Sequence, residues 1–333
     1  MRPIARFLLG LVAVLVSLWA VAALWIDGPT SRPLAAGLCG LYAGGVIALL
    51  LRIRPFRRGA LAAIIAFAVV LTWWLAIPAS NQRDWLPDVA NPPTATIEGN
   101  ILTVRNVRNF AYRSSDTDFE PHWETRRYDL TKLRGLDLAI SFWGPTQYGH
   151  TIMVWEFDDA PPLAVSIETR KEKGEAYSAV LGFFRQFELY YVVADERDVL
   201  GVRTNHRNEQ IRLYRLGTSP AAARALLEGY VEEFNALAAY PAWYNALTGN
   251  CTTVIFKNVK HVFGISKLTD WRILANGHLD ELAYEEKVIN TTMPLAELRQ
   301  RSDITARARE AGAAPDFSQR IRVGLPARPA PLP

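Results

Sequence analysis

The chain has 333 residues, half of them hydrophobic and 21% charged, with a mean hydropathy of +0.03. That balance excludes a disordered or low-complexity chain, and the length suits one large or two small domains. The net charge of +4 is unevenly spread: residues 1–80 carry seven Arg and one Asp, whereas residues 81–333 carry 30 Lys and Arg against 32 Asp and Glu. The basicity therefore belongs to the N-terminal quarter. A nucleic-acid partner, which needs a basic patch on a folded domain, is not expected.

Three apolar stretches fill that quarter, at residues 7–26, 34–51 and 60–77. Each approaches the roughly 17–25 residues that span a bilayer as a helix. Gly37, Gly40, Gly44 and Gly45 in the second stretch suit close helix packing in lipid. Arg2 and Arg6 precede the first stretch, and Arg52, Arg54, Arg57 and Arg58 lie between the second and third. Only Arg32 sits in the first loop. The positive-inside rule then predicts a cytoplasmic N-terminus and an extracytoplasmic location for everything beyond about residue 80, in a bacterial inner membrane. Trp25, Trp73, Trp74 and Trp85 fall near the outer interface, as an aromatic belt would. A cleaved signal peptide is the rival reading of residues 7–26, but that apolar run is long for one.

Residues 1–80 are thus expected to form a three-helix transmembrane anchor and residues 81–312 an exported domain with a single core. Pro87, Pro92 and Pro93 mark a linker, and residues 313–333, rich in Pro and Arg, read as a flexible tail. Within the domain, residues 96–106 alternate weakly around Gly99 and Asn100, consistent with a hairpin. Strands are expected at 136–143, 151–157, 163–169, 189–194 and 210–216, with a hairpin turn at 158–162. Ser219 and Pro220 then open a helix as N-cap and N1, with Leu226, Leu227, Tyr230, Val231, Phe234 and Leu237 on its apolar face. A second helical run begins at Cys251. The expected class is α+β, with an antiparallel sheet and helices toward the C-terminal side.

Of the two cysteines, Cys39 lies within the second apolar stretch and reads as a packing residue. Cys251 has no partner in the exported part; it is a buried inert thiol, an accidental one, or a nucleophile. It sits at a loop-to-helix junction, where the helix dipole and free N–H groups stabilise a thiolate. The same amides, with Asn250 and Thr252 beside the thiol, suit an oxyanion site. A thiolate nucleophile also needs a base. His150 is the best placed histidine, at the start of a strand and just after Gly149. If Phe157 pairs with Leu163, His150 faces Arg170, and Glu168 lies diagonally beside it, able to orient the imidazole. A solvated strand end is the alternative reading of Glu168 and its charged neighbours. Asp195, Asp198 and Arg203 read as a buried ion-pair corner rather than a substrate contact. His122, His206, His261 and His278 have weaker claims, and the absence of metal-ligand spacing argues against a metal or other cofactor.

Several stretches taken together resemble one family. They are Phe142-Trp-Gly followed by Gly149-His150; Ser166-Ile-Glu168 with Arg170 and Gly174-Glu175; Asp195 to Asp198 with Arg203; and Tyr244-Asn245 followed by Asn250-Cys251. This series, from about Arg113 to Phe263, resembles the periplasmic domain of the Lnb-type lipoprotein N-acyltransferases. The order of histidine before cysteine is also similar to the circularly permuted papain-like arrangement of NlpC/P60 and lecithin:retinol acyltransferase proteins. The resemblance implies a permuted papain-like domain and thiol-dependent acyl transfer, with Cys251 as nucleophile, His150 as base and Glu168 as third member. It implies membrane phospholipid as acyl donor and an amine such as a lipoprotein N-terminus as acceptor. In those acyltransferases the membrane spans follow the periplasmic domain, whereas here three apolar stretches precede it. A cysteine hydrolase using the same pair, acting on cell-wall peptide or phospholipid, and a catalytically inactive envelope-binding module are the competing readings.

Overall fold

A computed structural model describes residues 3–246, 270–273 and 275–331. They divide into two compact units, Met1–Ser80 with Ala176–Glu188, and Asn81–Glu175 with Leu189–Pro333. The chain thus leaves the second unit once, for thirteen residues, and returns to it.

The first unit holds three helices, α1 (Pro3–Ile26), α2 (Arg32–Arg52) and α3 (Phe56–Leu75), each long and apolar enough to cross a membrane. Their buried positions are mostly small ones, among them Ala13, Ala20, Ala23, Ala35, Ala60 and Ala63, with Val46, Val70 and Trp74 the larger exceptions, while large side chains such as Leu15, Leu41 and Val69 point outward. This is the reverse of a water-soluble helix bundle and suits lipid as the solvent. The expected role of Gly37, Gly40, Gly44 and Gly45 in close packing is corrected: a Cβ at any of them would meet nothing within 4 Å. Close approach falls instead at Gly59, where a Cβ would lie 2.4 Å from the Leu49 carbonyl oxygen.

The second unit is built on one mixed sheet. Its strands are β1 (Thr94–Glu98), β2 (Ile101–Arg108), β5 (Trp123–Asp129), β6 (Leu133–Phe142), β7 (His150–Phe157), β8 (Leu163–Arg170), β9 (Glu188–Asp195) and β10 (Gln210–Arg215); β3 (Ala111–Tyr112) and β4 (Phe119–Glu120) pair separately. The order is β1-β2-β9-β8-β7-β6-β10, with β5 also pairing β2. The expected hairpin at 96–106 is β1–β2, closed by Gly99 and Asn100 with Glu98 opposite Ile101; Gly99 has φ +61°, which suits glycine. β2 touches β9 in the parallel sense, through Arg108 and Ala194; the other registered pairings are antiparallel.

The central strands β6, β7 and β8 are buried at nearly every position because both faces of the sheet are covered. Leu138, Ile140, Met153, Trp155, Val165 and Ile167 face the amphipathic helix that follows β10. This helix spans Pro220–Ala239, and Ser219 caps it by accepting from the Ala222 N–H. Ala139, Ile152, Val154, Ala164, Ile211 and Leu213 face the other way, onto Ile304, Ala308, Phe317 and Ile321. Numbered in chain order, the helices of this unit among the described residues are α4 (Glu196–Gly201), α5 (Pro220–Ala239), α6 (Leu279–Glu285), α7 (Leu295–Ser302), α8 (Thr305–Ala311) and α9 (Phe317–Arg322). The α+β class stands, with helices on both faces rather than gathered on one.

The C-terminal stretch departs from the flexible tail expected at 313–333. Phe317 and Ile321 are buried, and Arg322 and Arg328 reach carboxylates inside the fold. The Arg328 guanidinium occupies the space over Gly135, where a Cβ would lie 2.5 Å from its Cζ, and donates to the Leu136 and Leu216 carbonyls. Proline and arginine content suggested a solvated segment; buried anionic partners scattered through the preceding sequence overrode it.

Candidate functional site

Three adjacent strands bring one residue each to a common polar row. Ser141 at the end of β6 stands opposite His150 at the start of β7. In the β7–β8 ladder Ile152 pairs with Ser166 and Trp155 with Leu163. The expected Phe157–Leu163 pairing is therefore displaced by two residues. Phe157 pairs with Leu133 of β6 instead, and Pro161 and Pro162, lacking N–H groups, do not carry the β7–β8 ladder toward the turn. An even shift keeps every side chain on its face. Glu168 is thereby brought from a diagonal position to one level with His150.

The contacts follow from that register. His150 Nε2 lies 2.6 Å from Ser166 Oγ and 3.1 Å from Glu168 Oε1, and Ser166 Oγ lies 2.7 Å from the same Glu168 oxygen. The Ser166 hydroxyl has one proton, and a carboxylate can only accept. Ser166 therefore donates to Glu168 and accepts from His150 Nε2–H. In the neutral ring this places the proton on Nε2 and the lone pair on Nδ1. The sequence reading found His150 and Glu168 but gave Ser166 no role; its alternation with Glu168 on β8 was the available signal.

Arg203 completes the row from a π-helical turn, Val202–His206, that follows α4. It donates to Glu168 Oε1 at 2.7 Å and to Glu209 Oε2 at 3.0 Å, and Ser141 Oγ donates to the same Glu209 oxygen at 2.5 Å. Burial pushes the Glu168 carboxyl up, but His150, Arg203 and the Ser166 hydroxyl outweigh it and hold the group well below the usual carboxylate range. The expected ion-pair corner separates into two. Asp198 pairs with Arg108 at 2.7 Å and accepts from the Phe110 N–H, whereas Arg203 belongs to the His150 row.

Arg170 does not face His150. With the observed register it lies two residues farther along β8, and it donates to the Val89 and Ala90 carbonyls and to Asn81 Oδ1. Its guanidinium lies 4.1 Å from the centroid of the Trp85 ring and 5.0 Å from that of Tyr190. These contacts fasten residues 81–90 to the sheet. Among the other histidines, His122 pairs with Glu124, His278 pairs with Glu281, and His206 lies against the Tyr112 ring. Cys251, Asn250 and Thr252, and likewise His261, lie outside the described residues.

The chain beyond that segment returns beside the row. Asn276 Oδ1 accepts the Gly149 N–H at 2.8 Å, and the Gly277 N–H donates to the Gln147 carbonyl at 3.1 Å. A Cβ on Gly277 would fall 1.9 Å from the Thr146 carbonyl oxygen, and one on Gly149 would fall 2.8 Å from Ile140 Cγ2. Glycine at 277 lets residues 276–277 lie against the backbone of residues 146–147, and glycine at 149 lets the chain lie close on β6 immediately before His150.

A consequence for pH follows from Glu168. Because its folded-state pKa is depressed, its stabilising contribution is complete above the ordinary carboxylate value of about 4.3 and is lost as pH falls through the lower folded value. Glu168→Gln is expected to be less stable than wild type near pH 7, with the two melting temperatures converging below about pH 4. Melting curves of both proteins across pH 3–8 measure this; a gap that widens toward acid contradicts it.

Comparison with known proteins agrees with this region of the chain. Residues 119–277 match the model of the Lnb N-terminal periplasmic domain. No curated protein and no solved structure matches the chain. The matched span contains β4 to β10, α5 and the whole His150 row, so this part of the second unit is similar to the Lnb N-terminal periplasmic domain, in a chain that carries three membrane-length helices.

Proposed function

We propose that the protein is a membrane-anchored thiol acyltransferase in which Cys251 is the nucleophile and His150 the base. The observation that carries the reading is the hydrogen-bond chain from His150 Nε2 through Ser166 to Glu168, backed by Arg203. It presets the tautomer a general base needs, with Nδ1 as the accepting nitrogen, and holds a carboxylate ready to stabilise an imidazolium.

In the first half-reaction the Cys251 sulfur attacks the ester carbonyl of a phospholipid as His150 Nδ1 takes the thiol proton. The tetrahedral intermediate expels the lysophospholipid alkoxide, which leaves with that proton, and a thioester remains on Cys251. N–H groups at Asn250–Thr252 serve the oxyanion. In the second, an amine such as a lipoprotein N-terminus attacks the thioester and gives its proton to His150, and the thiolate leaves with the amide formed. Ser166, Glu168 and Arg203 act as positioning residues. The arginine distribution around the three helices supports an inner-membrane protein with a cytoplasmic N-terminus and the α+β unit in the periplasm.

Incubating the full-length protein with vesicles of palmitoyl-containing phospholipid, without acceptor amine, is expected to add one palmitoyl group to the peptide carrying Cys251, removable by hydroxylamine. An unmodified Cys251 peptide in protein whose thiol alkylates rapidly in a His150-dependent way would turn the reading to peptide hydrolysis. A thiol inert in the folded protein would leave only a binding role.

A further inference from the structure

The thirteen residues that leave the second unit between β8 and β9 carry an exposed apolar surface. From Ala176 to Phe184 there is no charged residue, and Tyr177, Val180 and Phe183 are 54%, 64% and 40% exposed. Lys171, Glu172, Lys173 and Glu175 precede this run and Arg185 follows it. A contiguous apolar patch bounded by charge is unfavourable in water and marks a surface that meets something apolar.

The contacts made by the other side of the segment set its depth. Phe184 is buried with Ala23 and Trp74, and its ring stacks on Trp19 at 6.4 Å between centroids. Trp19 lies seven residues before the last residue of α1, which at 1.5 Å per residue is about 10 Å below the helix end. Polar contacts appear just above this level. Asp27, the first residue beyond α1, accepts from Trp74 Nε1 at 2.6 Å, from Gln186 Nε2 at 2.7 Å and from the Arg185 N–H at 3.2 Å. The Arg185 guanidinium lies 4.2 Å from the centroid of the Trp74 ring. Aromatic rings with a polar fringe on one side and an apolar zone on the other mark the membrane–water boundary.

We propose that residues 176–184 form an interfacial wedge, inserted among phospholipid acyl chains in the leaflet at the C-terminal ends of α1 and α3, with Val180 and Phe183 in direct lipid contact. Phe184 pins the wedge to the helices, Asp27 and Arg185 hold its rim at the boundary, and the exposed side chains face the only apolar solvent at that depth. Along the chain the wedge follows β8 after the five intervening residues 171–175. The proposal rests on the membrane anchor and stands whether or not Cys251 forms a thioester.

Photocrosslinking in intact membranes tests it. A benzophenone amino acid is introduced at Phe183, at Val180 and, as a reference facing the hydrocarbon, at Leu15, which is 56% exposed in mid-span. Irradiation of the full-length protein is expected to add the mass of one intact phospholipid at positions 180 and 183 with a yield within about threefold of that at Leu15. Lipid adducts at Leu15 but none at either wedge position overturn the proposal, as does capture of a second polypeptide at 180 and 183 in place of lipid.

Discussion

His150→Ala is expected to reduce acyl transfer by about 10²–10⁴-fold, the range associated with a positioned general base. Cys251→Ala is expected to abolish it, because the proposed thioester forms on that sulfur. Ser166→Ala and Glu168→Gln separate positioning from participation. Both leave the imidazole present; the first removes the hydroxyl that accepts from Nε2–H, and the second removes the charge that holds the chain in that sense. Each is expected to lower kcat with little change in KM, and to lose less than His150→Ala. A readout independent of substrate is the pH profile of Cys251 alkylation. Under the proposed pairing the reactive thiolate is expected to persist to lower pH in wild type than in His150→Ala, whose titration is expected to move toward the free-thiol value of about 8.5. Identical alkylation profiles for wild type, His150→Ala and Glu168→Gln would detach the row from the thiol altogether.

Arg322→Ala is expected to cost about 3–5 kcal/mol of folding stability, the range for leaving a buried charge without its partner. For a unit of this size each kcal/mol lowers Tm by roughly 2–4 °C. The reason lies in what Arg322 joins. It pairs with Asp137 of β6 at 2.9 Å and Glu156 of β7 at 2.5 Å, and its two guanidinium nitrogens each bond Glu196 of α4 at 2.7 Å. Asp137 and Glu196 have no exposed side-chain surface. Burial already holds both carboxyls above their ordinary range despite the nearby arginines.

Removing Arg322 raises those two pKa values further, so the folded state takes up protons before the unfolded one does. Stability of the variant then falls as pH rises, and its deficit against wild type is largest at neutral pH and shrinks toward pH 5. Asp137→Asn with Glu196→Gln in the Arg322→Ala background is expected to recover part of the loss at pH 7, since neutral amides need no counter-charge. A deficit independent of pH and untouched by the amide substitutions would assign the effect to lost packing of the Arg322 stem instead. Truncation before residue 313 removes Arg328 as well as the buried Phe317 and Ile321, and is expected to be more damaging than the point change.

These two sets of residues were legible in the sequence to different degrees. His150 was accessible because a histidine follows a glycine at the head of an alternating apolar run, and Glu168 because a hairpin of nearly correct register puts it on the same face. The exact pairing was not accessible: β7 and β8 are apolar at most positions, and a strand buried on both faces carries little alternation from which to set register. Ser166 was hidden because a serine within such a strand reads as a small core residue until its neighbour is known to be an imidazole. Arg203 and Glu209 reach the row from a turn beyond β9 and from the residue before β10, so only the sheet order brings them to β7. Arg322 and Arg328 were misplaced for the same reason, their carboxylate partners lying 126 to 191 residues earlier in the chain.

Local composition by itself determined that the chain begins with three membrane-length helices and that an α+β unit follows. Hydrophobic length, arginine placement and turn residues act over a few residues and are written in order. Tertiary structure alone decided that Glu168 stands level with His150, that Arg170 fastens the linker, and that the Pro/Arg-rich end is an integral part of the core. It also decided that residues 176–188 leave their sheet to join the helices. Each of these depends on which distant groups share a buried, low-dielectric space, where an ion pair or an orphaned carboxylate counts far more than it does along a solvated chain.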